Sequence, residues 1–262
     1  MNKPEAKDIV MLFDRQTNKK HIFRIEDLTK AYSTSKGQIE KEDLLNTEYG
    51  DVIKTHLGYE YILLPATLYD FIMKKLNRLT QIVYPKDASY IALRLDVKPG
   101  DTVIESGIGS GAMSAVFLSI LGKTGKLISY EVREEFIKNA LKNLRKFNLD
   151  ANIEVKNRDI AEGFDEKEVD AIFIDVKEPW LYLEKAIQSL KNGRMLGVLV
   201  PTVNQVSMVL EEMEKLPLID IDVSEILHRF WKTNHQRLRP LDIMSAHTAF
   251  LIFARKISEK IS

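Results

Sequence analysis

The rhythm of apolar and polar positions changes near residue 66. Before it, apolar residues come in short runs: IVMLF (9–13), HIFRI (21–25), DVIKTH (51–56) and YEYILL (59–64). These runs are rich in β-branched and aromatic side chains, and DRQTNKK, STSKGQ and NTEYGD, which favour turns, lie between them. The pattern predicts a small antiparallel β domain over residues 1–65. Pro65 then leads into TLYDFIMKKL, where Leu68, Phe71, Ile72 and Leu76 recur near helical spacing.

From Asp87 onward, helical and strand patterns alternate. A helix over Ala88 to Leu95 meets the turn VKPGD, and TVIES follows as a buried strand. Next come a helix from Ser110, strand LISYE, helix REEFIKNALKNLRKF and strands IEVKN and AIFID. A helix around LYLEKAIQSL, strand RMLGVLV and helix NQVSMVLEEMEKL lead to two long strands, IDIDVSEILHRFW and AHTAFLIFARK. This alternation predicts an α/β domain over residues 66–262, with a mainly parallel sheet covered by helices on both faces and an antiparallel edge built from the last strands.

Composition narrows the function classes. The 262 residues carry 38 basic and 38 acidic side chains, so a generally basic coat for nucleic acid is excluded while a local patch is not. The lack of cysteine removes disulfides, thiolate metal sites and a cysteine nucleophile together. The histidines lack metal-ligand spacing, so no metal is expected. No apolar run approaches the roughly 20 residues that span a bilayer. The segment MNKPEAKDIV has no apolar signal core, and a cytoplasmic location is expected.

The chemistry concentrates in DTVIESGIGSGAMSAVF (101–117). In an open α/β sheet, ligands bind beyond the carboxyl ends of strands where the strand order reverses. Gly107, Gly109 and Gly111 fall there if TVIES is the first strand, and Ser110 opens the next helix with a hydroxyl near free backbone donors. Glu131, roughly 20 residues beyond the loop, is placed for ribose hydroxyls. GIGSGA also satisfies a loose dinucleotide-binding form, so a nicotinamide-dependent oxidoreductase stays open. Glu105 before the loop, Asp159 after the third strand and Asp175 after AIFID fit a methyltransferase sheet better. Asp175 itself has two readings: a cap for the helix near Pro179 and Trp180, or a carboxylate at the ligand end of the sheet.

Several stretches together resemble the tRNA adenine-58 N1-methyltransferases, class I enzymes that use S-adenosylmethionine. They are TQIVYPKDASYIALRL (80–95), VIESGIGSGAMS (103–114), SYEVREEF (129–136), NRDIAEGF (157–164) and FIDVKEPW (173–180), with PTVNQV (201–206), ILHRFWKTNHQRLRP (226–240) and AHTAFLIFARK (246–256). Departures occur at Ser106, Ile108 and Lys177, where the family more often has alanine, threonine and proline.

The resemblance implies a Rossmann-like seven-stranded sheet, a tRNA substrate and a homotetramer, and leaves open whether adenine 57 is also modified. It implies that Gly107, Gly109, Ser110, Gly111, Ala112 and Met113 line the methionine end of the cofactor, with Gln81 near it, Glu131 at the ribose and Asp159 at the adenine. Asp175 would sit between cofactor and target base, and Tyr84 would form a wall for that base. Candidate RNA-contacting cations are Lys74, Lys75 and Arg78, and, with His228 and His235, Arg229, Lys232, Arg237 and Arg239. A non-catalytic RNA-binding scaffold on the same fold is the main rival.

Overall fold

The computed structural model describes residues 2–244 and 246–259. The chain separates into two compact units, Met1–Leu76 and Asn77–Ser262.

The first unit contains strands β1 (Ile9–Phe13), β2 (Lys20–Arg24), β3 (Ala31–Thr34) and β4 (Gly37–Glu40), helix α1 (Lys41–Asn46), strands β5 (Val52–Lys54) and β6 (Glu60–Pro65), and helix α2 (Leu68–Lys74). Four of the strands form an antiparallel sheet in the order β2-β1-β6-β5, and β3 and β4 form a separate hairpin. Val10 and Leu12 alternate inward and join Ile25, Ile39, Leu44, Ile53, Tyr61 and Leu63 in one core. The hairpin and α1 occupy a stretch whose STSKGQ segment reads as a turn. Ser35 and Lys36 do form that turn, but each flanking strand is only four residues long. Helix α2 opens with a capping box between Thr67 and Asp70, and Asp70 also takes an ion pair from Lys20 on β2 at 2.7 Å. The division after Leu76 places α2 with the first unit.

The second unit runs α3 (Pro85–Arg94), β7 (Thr102–Ser106), α4 (Ala112–Leu121), β8 (Lys126–Tyr130), α5 (Glu134–Lys146), β9 (Ile153–Lys156), β10 (Val169–Ile174), α6 (Leu183–Ser189), β11 (Leu190–Val200), α7 (Val203–Met213), β12 (Leu218–Ser224) and β13 (Phe250–Lys256). The sheet order is β12-β13-β11-β10-β7-β8-β9, so the order reverses at β7. Ile104, Ile128, Ile172, Ile174, Leu196 and Val198 point to one face, where they meet Leu183 and Ala186 of α6 and Val209 and Met213 of α7. Helices α3 and α4 pack against each other and contact strands of the sheet. No helix among the described residues is long and apolar enough to cross a membrane.

The last two strands form the expected antiparallel edge: β13 pairs with β11 on one side and with β12 on the other, and β12 is outermost. Both strands are shorter than the sequence reading. The long strand expected through Trp231 stops at Ser224, whose partner is Leu251, near the start of β13. Nor is the expected strand formed at Ala246. His247 Nε2 lies 2.8 Å from the Pro201 carbonyl oxygen and Thr248 donates to Asp87 Oδ2 at 2.9 Å, so both are engaged elsewhere.

That second contact belongs to a buried knot at the start of α3. Lys86 Nζ reaches Asp87 Oδ1 at 2.8 Å, the Ile226 carbonyl at 2.7 Å and Thr248 Oγ1 at 2.6 Å. The Asp87 side chain is 2% exposed and that of Lys86 11% exposed. Replacing Asp87 with Ala strands a buried ammonium group, so D87A is expected to lose about 3–5 kcal/mol. Thermal unfolding should register this as a midpoint lower by roughly 10 °C.

Candidate active site

The site is built where strands end. Ser106, the last residue of β7, lies beside Ile174, the last of β10. One residue further, the Asp175 amide donates to the Ser106 carbonyl at 2.9 Å and the Gly107 amide donates to the Tyr130 carbonyl at 2.9 Å. The Glu131 amide continues the row by donating to the Lys156 carbonyl at 3.1 Å. Gly107 has φ +90°, and a Cβ there would stand 2.2 Å from the Asp175 carbonyl oxygen. No side chain can occupy that approach. Gly111, at φ +84°, begins α4 against Ala140 of α5, where a Cβ would sit 3.4 Å from the alanine Cβ.

A small cavity opens at this rim. It is lined by Gly107, Gly109, Ser110, Ala112 and Met113 of the glycine loop, by Asp175 and Glu105, and by Gln81, Ile82 and Val83 from the segment before α3. Seven residues expected from the sequence therefore meet here: Gln81, Gly107, Gly109, Ser110, Ala112, Met113 and Asp175. Gly111 lies behind the lining as the cap of α4. Ile82 and Val83 were not anticipated, since an apolar pair in QIVYPKD reads as ordinary core.

Three carboxylates converge on the rim. Glu105 is 1% exposed, and its Oε2 accepts from Ser114 Oγ at 2.6 Å and Ser129 Oγ at 3.1 Å. Burial, with Asp175 and Glu131 adding like charge, pushes it up to about 8 against the two serine hydrogen bonds. Asp175 is only partly covered at its surface, yet loss of hydration pushes its carboxyl up to about 7. Its side chain has no hydrogen-bond partner among the described residues, so it is not the helix cap that one reading allowed; Pro179–Tyr182 forms a 3₁₀ turn with no side-chain cap.

Glu131 supplies the test of whether S-adenosylmethionine fits. Its Oε1 accepts from the Arg133 amide at 3.0 Å and from Arg133 Nε at 3.1 Å, whereas Oε2 is buried with no partner. A buried carboxylate oxygen without a donor is costly, and a ribose hydroxyl supplies the missing hydrogen bond. With a glycine-lined pocket on one side, the residues fit that group.

The other candidates have the following surroundings. The Ser110 hydroxyl does not serve free donors of α4; it accepts from the Leu79 and Thr80 amides at 3.1 and 3.3 Å, because the helix begins two residues later. Asp159 is exposed and outside the cavity lining, with Oδ1 capping Ala161 at 2.8 Å in the turn Ile160–Glu162. Tyr84 is half-buried ahead of α3, makes no capping bond and lies outside the lining, directly after Val83. Lys74 and Lys75 are exposed at the end of α2, and Arg78 is exposed in the second unit. Lys232 pairs with Asp242 at 2.9 Å and Arg239 lies 3.5 Å from the same residue. Arg229 and Arg237 are exposed cations in that segment, beside exposed Phe230, Trp231 and Leu238.

The comparisons with known proteins agree with this geometry. The family model for the tRNA methyltransferase complex GCD14 subunit matches residues 58–250. The tRNA (adenine(57)-N(1)/adenine(58)-N(1))-methyltransferase TrmI of Methanocaldococcus jannaschii is 32% identical over 253 residues, covering 86% of this chain and 88% of its own. The solved tRNA (m1A58) methyltransferase TrmI of Aquifex aeolicus has a TM-score of 0.82 at 38% identity, covering 98% of this chain and 100% of that one. A Thermotoga maritima structure described as a SAM-dependent O-methyltransferase has a TM-score of 0.89 at 42% identity, covering 100% and 97%. With this match across most of its length and the strand order of the class I methyltransferases, the chain belongs to the tRNA methyltransferase complex GCD14 subunit family.

Proposed function

We propose that the protein transfers a methyl group from S-adenosylmethionine to N1 of adenine 58 in the T-loop of tRNA, acting in the cytoplasm. The observation that carries this reading is the Asp175 carboxyl, held without a hydrogen-bond partner at the rim of a glycine-lined cavity. When bound, S-adenosylmethionine supplies an electrophilic sulfonium methyl group. Gly107, Gly109, Met113 and Gln81 would hold its methionine end and Glu131 its ribose.

Adenine N1 carries an in-plane lone pair and needs no general base. The residues must therefore align the base and exclude water, and positioning supplies much of the rate. Asp175 accepts from the exocyclic amino group, which orients N1 and favours the positive charge arriving on the ring. Tyr84 follows the cavity-lining Val83, and we assign it as the wall against the base. The target base must leave its stack, at a cost of a few kcal/mol. Arg229 and Arg237 are the cations best placed to offset this through phosphate contacts, because Asp242 pairs with both Lys232 and Arg239. The exposed Phe230, Trp231 and Leu238 support an assembly of several copies, for which the expected state is a homotetramer.

The deciding experiment incubates the protein with labelled methyl donor and unmodified tRNA and maps the product by mass spectrometry. Label on adenine N1 at position 58 is expected; a 2′-O-methyl product, or tRNA binding without donor binding, overturns the reading. Replacing Asp175 with Ala is expected to lower kcat by about 100-fold or more while donor affinity changes by only a few-fold. In the pH profile, Asp175 and Glu105 stay largely protonated until about 7 and about 8. A cationic donor favours their ionised forms, so its affinity should rise from about pH 6 to about pH 8 as the coupled pair titrates. Isothermal titration across that range measures this, and a flat profile removes the pair from the donor site. Charge reversal in an R229E/R237E variant should weaken tRNA binding and reduce the slope of log K against log salt by about 1–2.

A further inference from the structure

Helix α5 buries Phe136, Asn139, Ala140, Asn143 and Leu144 on one stripe. Asparagines stand at two positions where packing alone favours apolar side chains. Both converge on Asn77. Asn143 Oδ1 accepts from the Asn77 amide at 3.0 Å, and Asn139 Oδ1 accepts from Asn77 Nδ2 at 2.7 Å. Asn139 Nδ2 and Asn143 Nδ2 each donate to the Asn77 carbonyl at 2.9 Å. Asn143 Nδ2 also donates to the Ser110 carbonyl at 3.0 Å, which joins Asn77 to the glycine loop. Asn143 is fully buried and Asn139 is 8% exposed.

An amide side chain carries both an acceptor and donors, so one asparagine can meet the N–H and the C=O of a single backbone residue. No apolar residue could hold an irregular segment this way. The grip continues two residues on, where the Leu79 and Thr80 amides donate to Ser110 Oγ. At the far end, Lys86 and Asp87 anchor the start of α3. Gln81, Ile82 and Val83 hang between these two anchors and form one wall of the cavity.

We propose that Asn139 and Asn143 are positioning residues for the donor site, setting the placement of the Gln81–Val83 strap over the glycine loop and thereby the fit of the methyl donor's methionine end. This rests on reading the cavity as the donor site. Neither side chain lines the cavity; Asn139 acts through the side chain and carbonyl of Asn77, and Asn143 through the Asn77 backbone and the Ser110 carbonyl. Asn139 is the better target, because loss of the fully buried Asn143 endangers folding.

The test uses the full chain as N139A and as N139D, which keeps the acceptor toward Asn77 Nδ2 but loses the donor to the Asn77 carbonyl. Three quantities are compared with the parent protein: hydrogen exchange of the Leu79 to Val83 amides, Kd for S-adenosylmethionine, and the split between KM and kcat. Exchange at Leu79 to Val83 should speed up in both variants. Donor Kd and donor KM should rise about tenfold, while kcat at saturating donor falls less and KM for tRNA stays within twofold. Unchanged exchange overturns the proposal. So does a donor Kd within twofold of the parent in both variants, even if the unfolding midpoint drops, since a merely structural role would do the latter alone. If the parent protein binds no donor at all, the reading of the cavity fails instead, and the exchange measurement still judges whether the asparagines hold the strap.

Discussion

The approach of the Gly107 backbone to the Asp175 carbonyl governs the arrangement of the site. At that contact two neighbouring strands finish together and turn away from each other, with no room for a methyl group between them. The amide of Asp175 on Ser106 and the amide of Gly107 on Tyr130 then extend the sheet ladder one residue beyond its strands. Positions that look like loop in sequence therefore inherit the precision of the sheet. The carboxylates of Glu105, Asp175 and Glu131 are fixed relative to one another because Glu105 lies within a hydrogen-bonded strand and the other two directly follow one. A chain with no net charge thus gathers three acidic groups at one rim, where a bound cation favours their ionised forms.

The two rims of the sheet handle charge in opposite ways. Where the strands begin, Asp170 accepts from the Thr102 amide at 2.9 Å and pairs with Lys191 at 2.7 Å, and Arg194 donates to the Asp170 carbonyl and to Asp101. Those acidic groups are matched by bases. Where the strands end, Asp175 has no such partner and one oxygen of Glu131 is buried without a donor. Matched charges at the first rim contribute to stability; at the second, burial pushes Asp175 and Glu105 toward their neutral forms, which limits the cost of leaving them unmatched.

The sheet of the second unit was legible from its alternation, since buried strands such as TVIES and AIFID carry an apolar signal strong enough to survive uncertain boundaries. The glycine loop was legible because only glycine accommodates that backbone. What stayed hidden depends on partners distant in sequence. Nothing local in IDIDVSEILHRFW says that its partner begins at Phe250, so the strand was read too long. The Ser110 hydroxyl belongs to residues about thirty positions earlier. The two asparagines of α5 carried a faint signal, an amide at both i and i+4 on the apolar stripe of an amphipathic helix, but their target is more than sixty residues away. Asp159 illustrates the reverse case: its turn cap is entirely local, an aspartate accepting from the amide two residues on.

The placement of β13 inside the sheet bears on biosynthesis. Strand β12 precedes β13 in the chain, yet it reaches the sheet only through β13. During translation β12 must therefore wait, unpaired, until some thirty further residues have left the ribosome. Meanwhile the free side of β11 remains an open template for any passing strand. The nascent chain is most vulnerable to mispairing in that interval, after the half of the sheet that carries the glycine loop is already complete.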